Sequence, residues 1–303
     1  MKFVAYLSSC PPGPKNAHKH DIIKNFYNGV RAVGDEAILT ENPIPDPTAD
    51  VGFIQGWINN NPSANRYTML RQQVIQTQQR NKRRVLVADS NMFNYIDGNK
   101  NKDYIRYSFD NVFPTNGVYF WDNPDPKRWE QIQKDTGVRL KPWRQNGRHI
   151  LICTQRNGGW SMAGVDVPSW LERTVTEIRR YSDRPIVVRG HPGDRHHREY
   201  IDRRKYSLSS NPLITQDLNN AWAVITYNSS PGVAAAIEGI PVFVTDPNPQ
   251  ISQAYPVANT NLADIENPKT FERFEWVNKI AMSHWRTEEI KDGSAWRHMR
   301  VYV

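Results

Sequence analysis

The sequence predicts an α/β protein of two Rossmann-like domains facing a cleft. Three observations carry that expectation. Short apolar runs of strand length alternate along the whole chain with segments of helical spacing, the pattern of helix-covered sheets. The length, 303 residues, fits two domains of about 150 residues each. A polar turn at Trp143-Arg-Gln-Asn-Gly147 closes one such series before a fresh strand opens another. The expected division is residues 1–147, residues 148–268, and a helical tail, 269–303, that returns to the first domain.

The first domain opens with a strand near 2–7. The N-terminal apolar run is too short for a secretion signal and meets a glycine–proline turn at once, so it reads as a core strand. A loop from Ser8 to His20 leads to a helix near 20–33, ended by Gly34, and to a strand at Ala37-Ile-Leu-Thr40. A connector with Pro43, Pro45 and Pro47 precedes the strand Asp50-Val-Gly-Phe-Ile54. A helix over 63–81 and the strand Arg84-Val-Leu-Val-Ala88 complete a β-α-β-β-α-β order, compatible with a parallel sheet. The stretch 89–147 reads as long loops, an irregular strand pair and a short helix near 126–136.

The second domain begins with Arg148-His-Ile-Leu-Ile-Cys153, followed by the glycine-rich loop Thr154–Trp160. A helix near 168–181, a strand over 185–189, a helix around 217–221 and strands over 222–226 and 240–244 follow. The tail carries Trp276, Trp285 and Trp296. Cys10 and Cys153 each end a strand and read as reduced thiols, consistent with a cytoplasmic protein. No window approaches 18 uninterrupted apolar residues, so no membrane-spanning helix is expected.

Two segments of the second domain point to an anionic ligand. In Tyr227-Asn228-Ser229-Ser230-Pro231-Gly232-Val233 a strand meets a helix of small residues, with Ser229 or Ser230 as its cap and Pro231 at its first position. The free amides of such a first turn suit a phosphate, and Glu238, two turns in, can reach a ribose hydroxyl. The same segment also fits an ordinary βαβ crossover. Upstream, Arg184-Pro-Ile-Val-Val-Arg189-Gly190-His191-Pro192-Gly193 is a strand ending in a basic turn, and strands of this kind deliver their C-terminal residues to the ligand edge.

His191-Pro192 followed some forty residues later by Ser229-Ser230 resembles the His-Pro and Ser-Ser/Ser-Thr motifs of GT-B glycosyltransferases, in particular sialyltransferases and Kdo-type capsule transferases. The resemblance covers mainly the second half of the chain. It implies that a nucleotide-sugar donor binds at His191, Pro192, Ser229 and Ser230, and the convergence of the three strand-end loops, with Glu238 on the helix, adds Thr154, Gln155, Gly159, Arg189, Asn228 and Glu238 to the expected donor site. UDP-glucose or another UDP-sugar is the favoured donor, with a CMP-sugar as the alternative. No Asp-x-Asp motif occurs, and Asp122-Asn-Pro-Asp125 reads as a turn, so no essential metal is expected. His191, His196 and His197 lie in an arginine-rich segment that disfavours zinc.

The acceptor's proton needs a base from the first domain. Asp89, at the end of its strand, is similar in placement to the catalytic aspartate of phage DNA β-glucosyltransferase, and it also fits a turn cap. Asp97, in Asp97-Gly98, is the second candidate and keeps only part of the sialyltransferase acidic-acidic-Gly motif. Gly34-Asp35-Glu36 has the wrong order. Charge is lopsided, with 20 Lys+Arg against 14 Asp+Glu in residues 1–147 and 19 against 17 in 148–303. A basic face suits a polyanion. DNA carrying a hydroxymethylated pyrimidine is therefore the expected acceptor, contacted by Lys82, Arg83 and Arg84. Such an enzyme must extrude its base, with Trp57, Phe93, Tyr95, Phe109, Phe113 and Trp121 as stacking platforms or core. A capsule or lipopolysaccharide acceptor, a sugar-nucleotide 2-epimerase and a non-catalytic DNA-binding protein are the alternatives.

Overall fold

The computed structural model describes residues 1–58, 65–96, 103–118 and 124–303. In chain order the elements are β1 (Lys2–Tyr6), α1 (Ala17–Ala32), β2 (Glu36–Thr40), β3 (Val51–Gln55), α2 (Arg66–Arg80), β4 (Arg84–Asp89) and β5 (Tyr104–Phe109). Next come α3 (Pro126–Thr136), β6 (His149–Cys153), α4 (Val167–Ile178), β7 (Ile186–Arg189), α5 (His197–Tyr200), β8 (Ser207–Leu208), α6 (Ile214–Leu218), β9 (Ala221–Thr226), α7 (Pro231–Ile237) and β10 (Val242–Val244). The chain closes with α8 (Phe274–Ala281), β11 (His284–Arg286), α9 (Thr287–Lys291) and α10 (Ser294–Met299).

The chain forms two compact units. The first comprises Met1–Asn91, Lys100–Arg128 and Lys279–Val303, the second Met92–Asn99 and Trp129–Asn278. The breaks therefore fall near 128 and 278, whereas the sequence suggested 147 and 268. Trp129 and Ile132 of α3 are buried, and Trp129 packs on Phe93 at 5.5 Å between ring centroids, which ties 129–147 to the second unit.

The first unit holds a six-stranded sheet, β11-β5-β4-β3-β1-β2. The β1, β2, β3 and β4 neighbours pair in parallel, whereas β5 runs antiparallel to β4, and β11 antiparallel to β5. The expected parallel sheet thus carries an antiparallel edge, and the tail is not helical throughout, because β11 interrupts it. His284 and Trp285 are buried there.

Helix α1 turns Ile23, Phe26 and Val30 inward at three- and four-residue spacing. Its Phe26 stacks on Phe3 at 5.5 Å, and its ring lies 5.0 Å from those of Phe53 and Tyr107. Trp296 of α10 completes this cluster, 5.1 Å from Phe3 and with its indole N–H on Asp35 at 2.7 Å. A Cβ on Gly29 would stand 1.9 Å from the Ile290 carbonyl oxygen, so the approach of α1 to α9 demands glycine.

The second unit holds a parallel sheet, β10-β9-β6-β7-β8. Chain order reverses beside β6, between β9 on one side and β7 on the other. Open α/β sheets take their ligands at such a switch point, beyond the carboxyl ends of the strands. Helix α4 starts where Asp166 accepts the Ser169 N–H at 3.0 Å, and it buries Val167, Trp170, Leu171, Thr174 and Ile178. Cys10 and Cys153 are both free and buried. Among the described residues no helix is long and apolar enough to cross a membrane.

Candidate functional site

Three loops leave the central strands of the second unit at one edge, after β6, β7 and β9, and they are stitched together by buried side chains. The Thr154 amide donates to the Arg189 carbonyl at 2.9 Å, and its hydroxyl accepts the His191 N–H at 3.3 Å. Gln155 accepts the Asn228 N–H at 3.0 Å and donates to Ser161 Oγ at 2.7 Å. Asn228 donates through Nδ2 to the Ser161 carbonyl at 3.0 Å and to Asp246 Oδ2 at 2.8 Å. Thr154, Gln155 and Asn228 are all buried, so the hydrogen bonds found for them hold the loops together. The Gly159 amide donates to the Arg156 carbonyl at 3.0 Å and closes the turn after β6.

His191 and Ser229 differ from these. The Gly193 N–H donates to His191 Nδ1 at 3.0 Å, so in the neutral ring the proton sits on Nε2. Burial lowers the His191 pKa, which keeps the ring neutral and leaves Nε2–H as a donor. Pro192 beside it is exposed. Ser229 Oγ is buried and has no hydrogen-bond partner among the described residues. A buried hydroxyl left unpaired costs free energy, and a ligand oxygen removes that cost. The two groups come from loops on either side of β6, on the order of 10 Å apart by strand spacing.

Asp194, which sequence reasoning missed, organises the β7 loop. Its side chain, 6% exposed, accepts from Asn157 N–H at 3.0 Å, His196 N–H at 3.0 Å and Tyr200 Oη at 2.6 Å. Burial pushes its pKa up, but those hydrogen bonds outweigh it and the carboxyl stays below its usual range. Its carbonyl accepts His197 Nδ1–H at 2.6 Å. A Cβ on Gly190 would come within 2.1 Å of His197 Cδ2, so only glycine lets the ring pack there. The one sequence cue was the Pro-Gly-Asp turn directly after His191.

Other expectations fail on geometry. Neither serine caps α7: Ser230 is exposed at the N-cap with no side-chain hydrogen bond, and the helix spans only seven residues. Glu238 is the C-cap of that helix, 5% exposed, bound by Lys141 Nζ and by Tyr95 Oη at 3.2 Å, with Arg144 at 3.9 Å. Its carboxylate is engaged within the protein rather than offered to a ribose. Arg189 turns away from the edge and pairs with buried Asp217, donating also to the carbonyls of Asn211 at 2.8 Å and Pro212 at 3.2 Å. His191, His196 and His197 each have a separate partner, and among the described residues no group of three or more His, Cys, Asp or Glu is placed to hold a metal ion.

In the first unit Asp89 ends β4 at the ligand edge of its sheet. Its Oδ2 accepts from buried Arg106 at 2.8 Å and its Oδ1 from the Ser90 N–H at 2.7 Å. Asp97 lies outside the described residues. Lys82 and Arg83 precede β4 and Arg84 is its first residue, so the three sit at the opposite edge, with Arg84 about 17 Å from Asp89 along the strand. Lys82 is exposed in a left-handed turn at φ 55. Arg83 pairs with Asp50 at 3.4 Å, and Arg84 with Asp110 at 2.5 Å. A duplex held by these three would present its base away from Asp89, which removes the basis for grouping them in one acceptor site. Trp57, Phe93, Tyr95, Phe109 and Phe113 are buried core side chains, and Trp121 lies outside the described residues.

No family model matches the sequence, and no curated protein matches it. Among solved structures the chain is similar to KpsC of Thermosulfurimonas dismutans. Its beta Kdo 2,4 transferase aligns over 93% of this chain and 90% of that one, with TM-score 0.51 and 13% identity. The beta Kdo 2,7 transferase of the same KpsC aligns over 100% and 99%, with TM-score 0.50 and 13% identity. At this identity the likeness concerns the fold, which is GT-B-like: α/β, with two sheet-bearing bodies.

Proposed function

We propose that the protein is a glycosyltransferase that takes a nucleotide-activated sugar in its second unit and transfers the sugar to a hydroxyl of a glycan. The observation that carries the reading is the pair of polar groups at the switch point, a neutral His191 offering Nε2–H and a Ser229 hydroxyl without a partner among the described residues. In this reading both donate to the phosphate of the donor. As the glycosidic bond breaks, negative charge builds on that phosphate, and fixed donors stabilise it. The Thr154, Gln155 and Asn228 network holds the loops so that the donors need not reorganise. Asp89 is the base of this reading, oriented by Arg106.

Two observations favour a glycan over DNA. Lys82, Arg83 and Arg84 stand at the sheet edge opposite Asp89, and the described aromatic side chains expected to stack on bases are core. The fold likeness to Kdo transferases supports the same choice. The test is a thermal-shift panel of UDP-glucose, UDP-GlcNAc, CMP-sialic acid and CMP-Kdo at saturating concentration, because a ligand that binds only the folded state raises the melting point. At least one should shift the wild type, and His191→Ala and Ser229→Ala should each lose most of that shift. No shift with any donor overturns the reading. Isomerisation of the donor without an acceptor would assign a 2-epimerase instead.

A further inference from the structure

The first unit carries a cavity of about 340 Å³ at the ligand edge of its own sheet, and the described residues that line it all belong to that unit. Strand register explains its place. β1 and β2 run parallel with Tyr6 opposite Thr40, so Leu7 and Glu41 leave the sheet side by side. Helices that follow parallel strands begin at the carboxyl edge, which brings in His20 near the start of α1 and Tyr67 and Leu70 near the start of α2. Asn65 fixes the start of α2 by accepting the Tyr67 and Thr68 N–H groups, both at 3.1 Å.

The walls mix apolar and hydrogen-bonding surface. Leu7 and Leu70 are buried and supply part of the apolar share. His20, half-buried, donates Nε2–H to the Cys10 carbonyl at 3.4 Å. In the neutral ring this leaves Nδ1 as an acceptor, and it has no partner among the described residues. The Glu41 carboxylate is exposed and likewise unpaired among the described residues, while its backbone carbonyl takes the Ser8 hydroxyl at 2.6 Å. Arg66 lies over the Tyr67 ring, 4.7 Å from its centroid, and donates to Tyr67 Oη, so the phenol keeps its own proton to donate. Arg66 and Glu41 offset each other in charge, and the described lining holds no other Lys, Arg, Asp or Glu. Acceptors, a phenol donor and apolar side chains in one small cavity suit a pyranose, whose hydroxyls surround a ring with C–H faces. Asp89 ends β4, two strands from β1 and therefore about 10 Å away across the sheet. That is more than one pyranose ring spans.

We propose that this cavity binds an uncharged pyranose ring of the acceptor glycan, a ring other than the one whose hydroxyl is attacked, with His20 Nδ1 and the Glu41 carboxylate accepting its hydroxyls. The acceptor is then an oligosaccharide rather than a single sugar. The inference rests on the transferase reading for that meaning, but its test needs no turnover. Saturation-transfer NMR compares the methyl glycosides of glucose, galactose, mannose and N-acetylglucosamine with sorbitol, which has the hydroxyls without the ring. At least one glycoside should bind about tenfold more tightly than sorbitol, and His20→Phe and Glu41→Ala should each lose about tenfold of its affinity. His20→Asn keeps an acceptor where Nδ1 stands and should stay within about threefold of wild type, as should Arg83→Met at the far edge. A wild type that binds no glycoside better than sorbitol overturns the inference before any variant is made. Full affinity in Glu41→Ala, an exposed position, overturns it even where His20→Phe fails to fold. So does a loss in His20→Asn as large as in His20→Phe, which marks a structural role for the ring. A protein that responds to nucleotide sugars and binds no glycoside keeps its proposed function and loses only this site. One that binds a glycoside and ignores every nucleotide sugar keeps the cavity and loses the transferase reading.

Discussion

Replacing Arg189 by methionine separates a ligand-binding arginine from one that holds the fold. Asp217 is 2% exposed on its side chain, and Arg189 16%. Arg189 Nη1 donates to Asp217 Oδ2, while Asp217 Oδ1 accepts from Ser209 Oγ at 2.6 Å and Asn211 Nδ2 at 2.7 Å. Methionine fills much of the volume but leaves a buried carboxylate with two neutral donors and no opposite charge. Removing one partner of such a pair costs about 3–5 kcal/mol. At about 2–4 °C per kcal/mol for a folding unit of this size, the melting point should fall by about 6–20 °C. Scanning calorimetry measures the fall. The double variant Arg189→Met/Asp217→Asn should recover a substantial part of it, because the stranded charge is gone. Below the transition, nucleotide-sugar affinity should stay within about twofold of wild type. A variant that melts with the wild type yet loses donor affinity would refute the reasoning and return Arg189 to the donor site.

Acid should destabilise the first unit through His284. The ring is fully buried with Nδ1 2.9 Å from the Ile280 carbonyl, and burial lowers its pKa from 6.5 to about 3. The folded state stays neutral while the unfolded chain takes up a proton below 6.5, so stability is present above that pH and is lost as pH falls towards 3. The slope is up to about 1.4 kcal/mol per pH unit, hence about 2 kcal/mol at pH 5. Urea melts of the wild type and His284→Asn between pH 7 and 5 check this, and parallel profiles would exclude it. Trp296→Ala should cost about 3–5 kcal/mol by opening the aromatic cluster. Denaturant titration measures the loss, and a loss under about 1 kcal/mol would show the cluster repacks. Gly190→Ala should displace His197 and cost about 1–3 kcal/mol, with weaker nucleotide-sugar binding. A variant with unchanged melting point and affinity would show that the loop tolerates the Cβ. Asp89→Asn should cut turnover while sparing donor affinity, and full activity would remove it as base.

Local pattern alone revealed the strands and helices that build both sheets. Apolar runs such as Val85–Ala88 and Ile150–Cys153 have few other solutions, and the periodicity of α1 and α4 follows from the face each must bury. The His191 and Ser229 loops were also legible, since both end strands of one sheet and strand ends face the ligand edge. Even the separation of Arg84 from Asp89 was written in the sequence, as the first and last residues of one strand. Tertiary structure decided the rest, because it depends on partners far along the chain. β11 pairs with β5 through His284 and Arg106, which no local propensity encodes. Arg189 and Glu238 looked like ligand groups because their type and position suited one, yet Asp217, Lys141 and Tyr95 claim them. A polar side chain's chemistry is local, but whether that chemistry is already satisfied is a property of the packed interior.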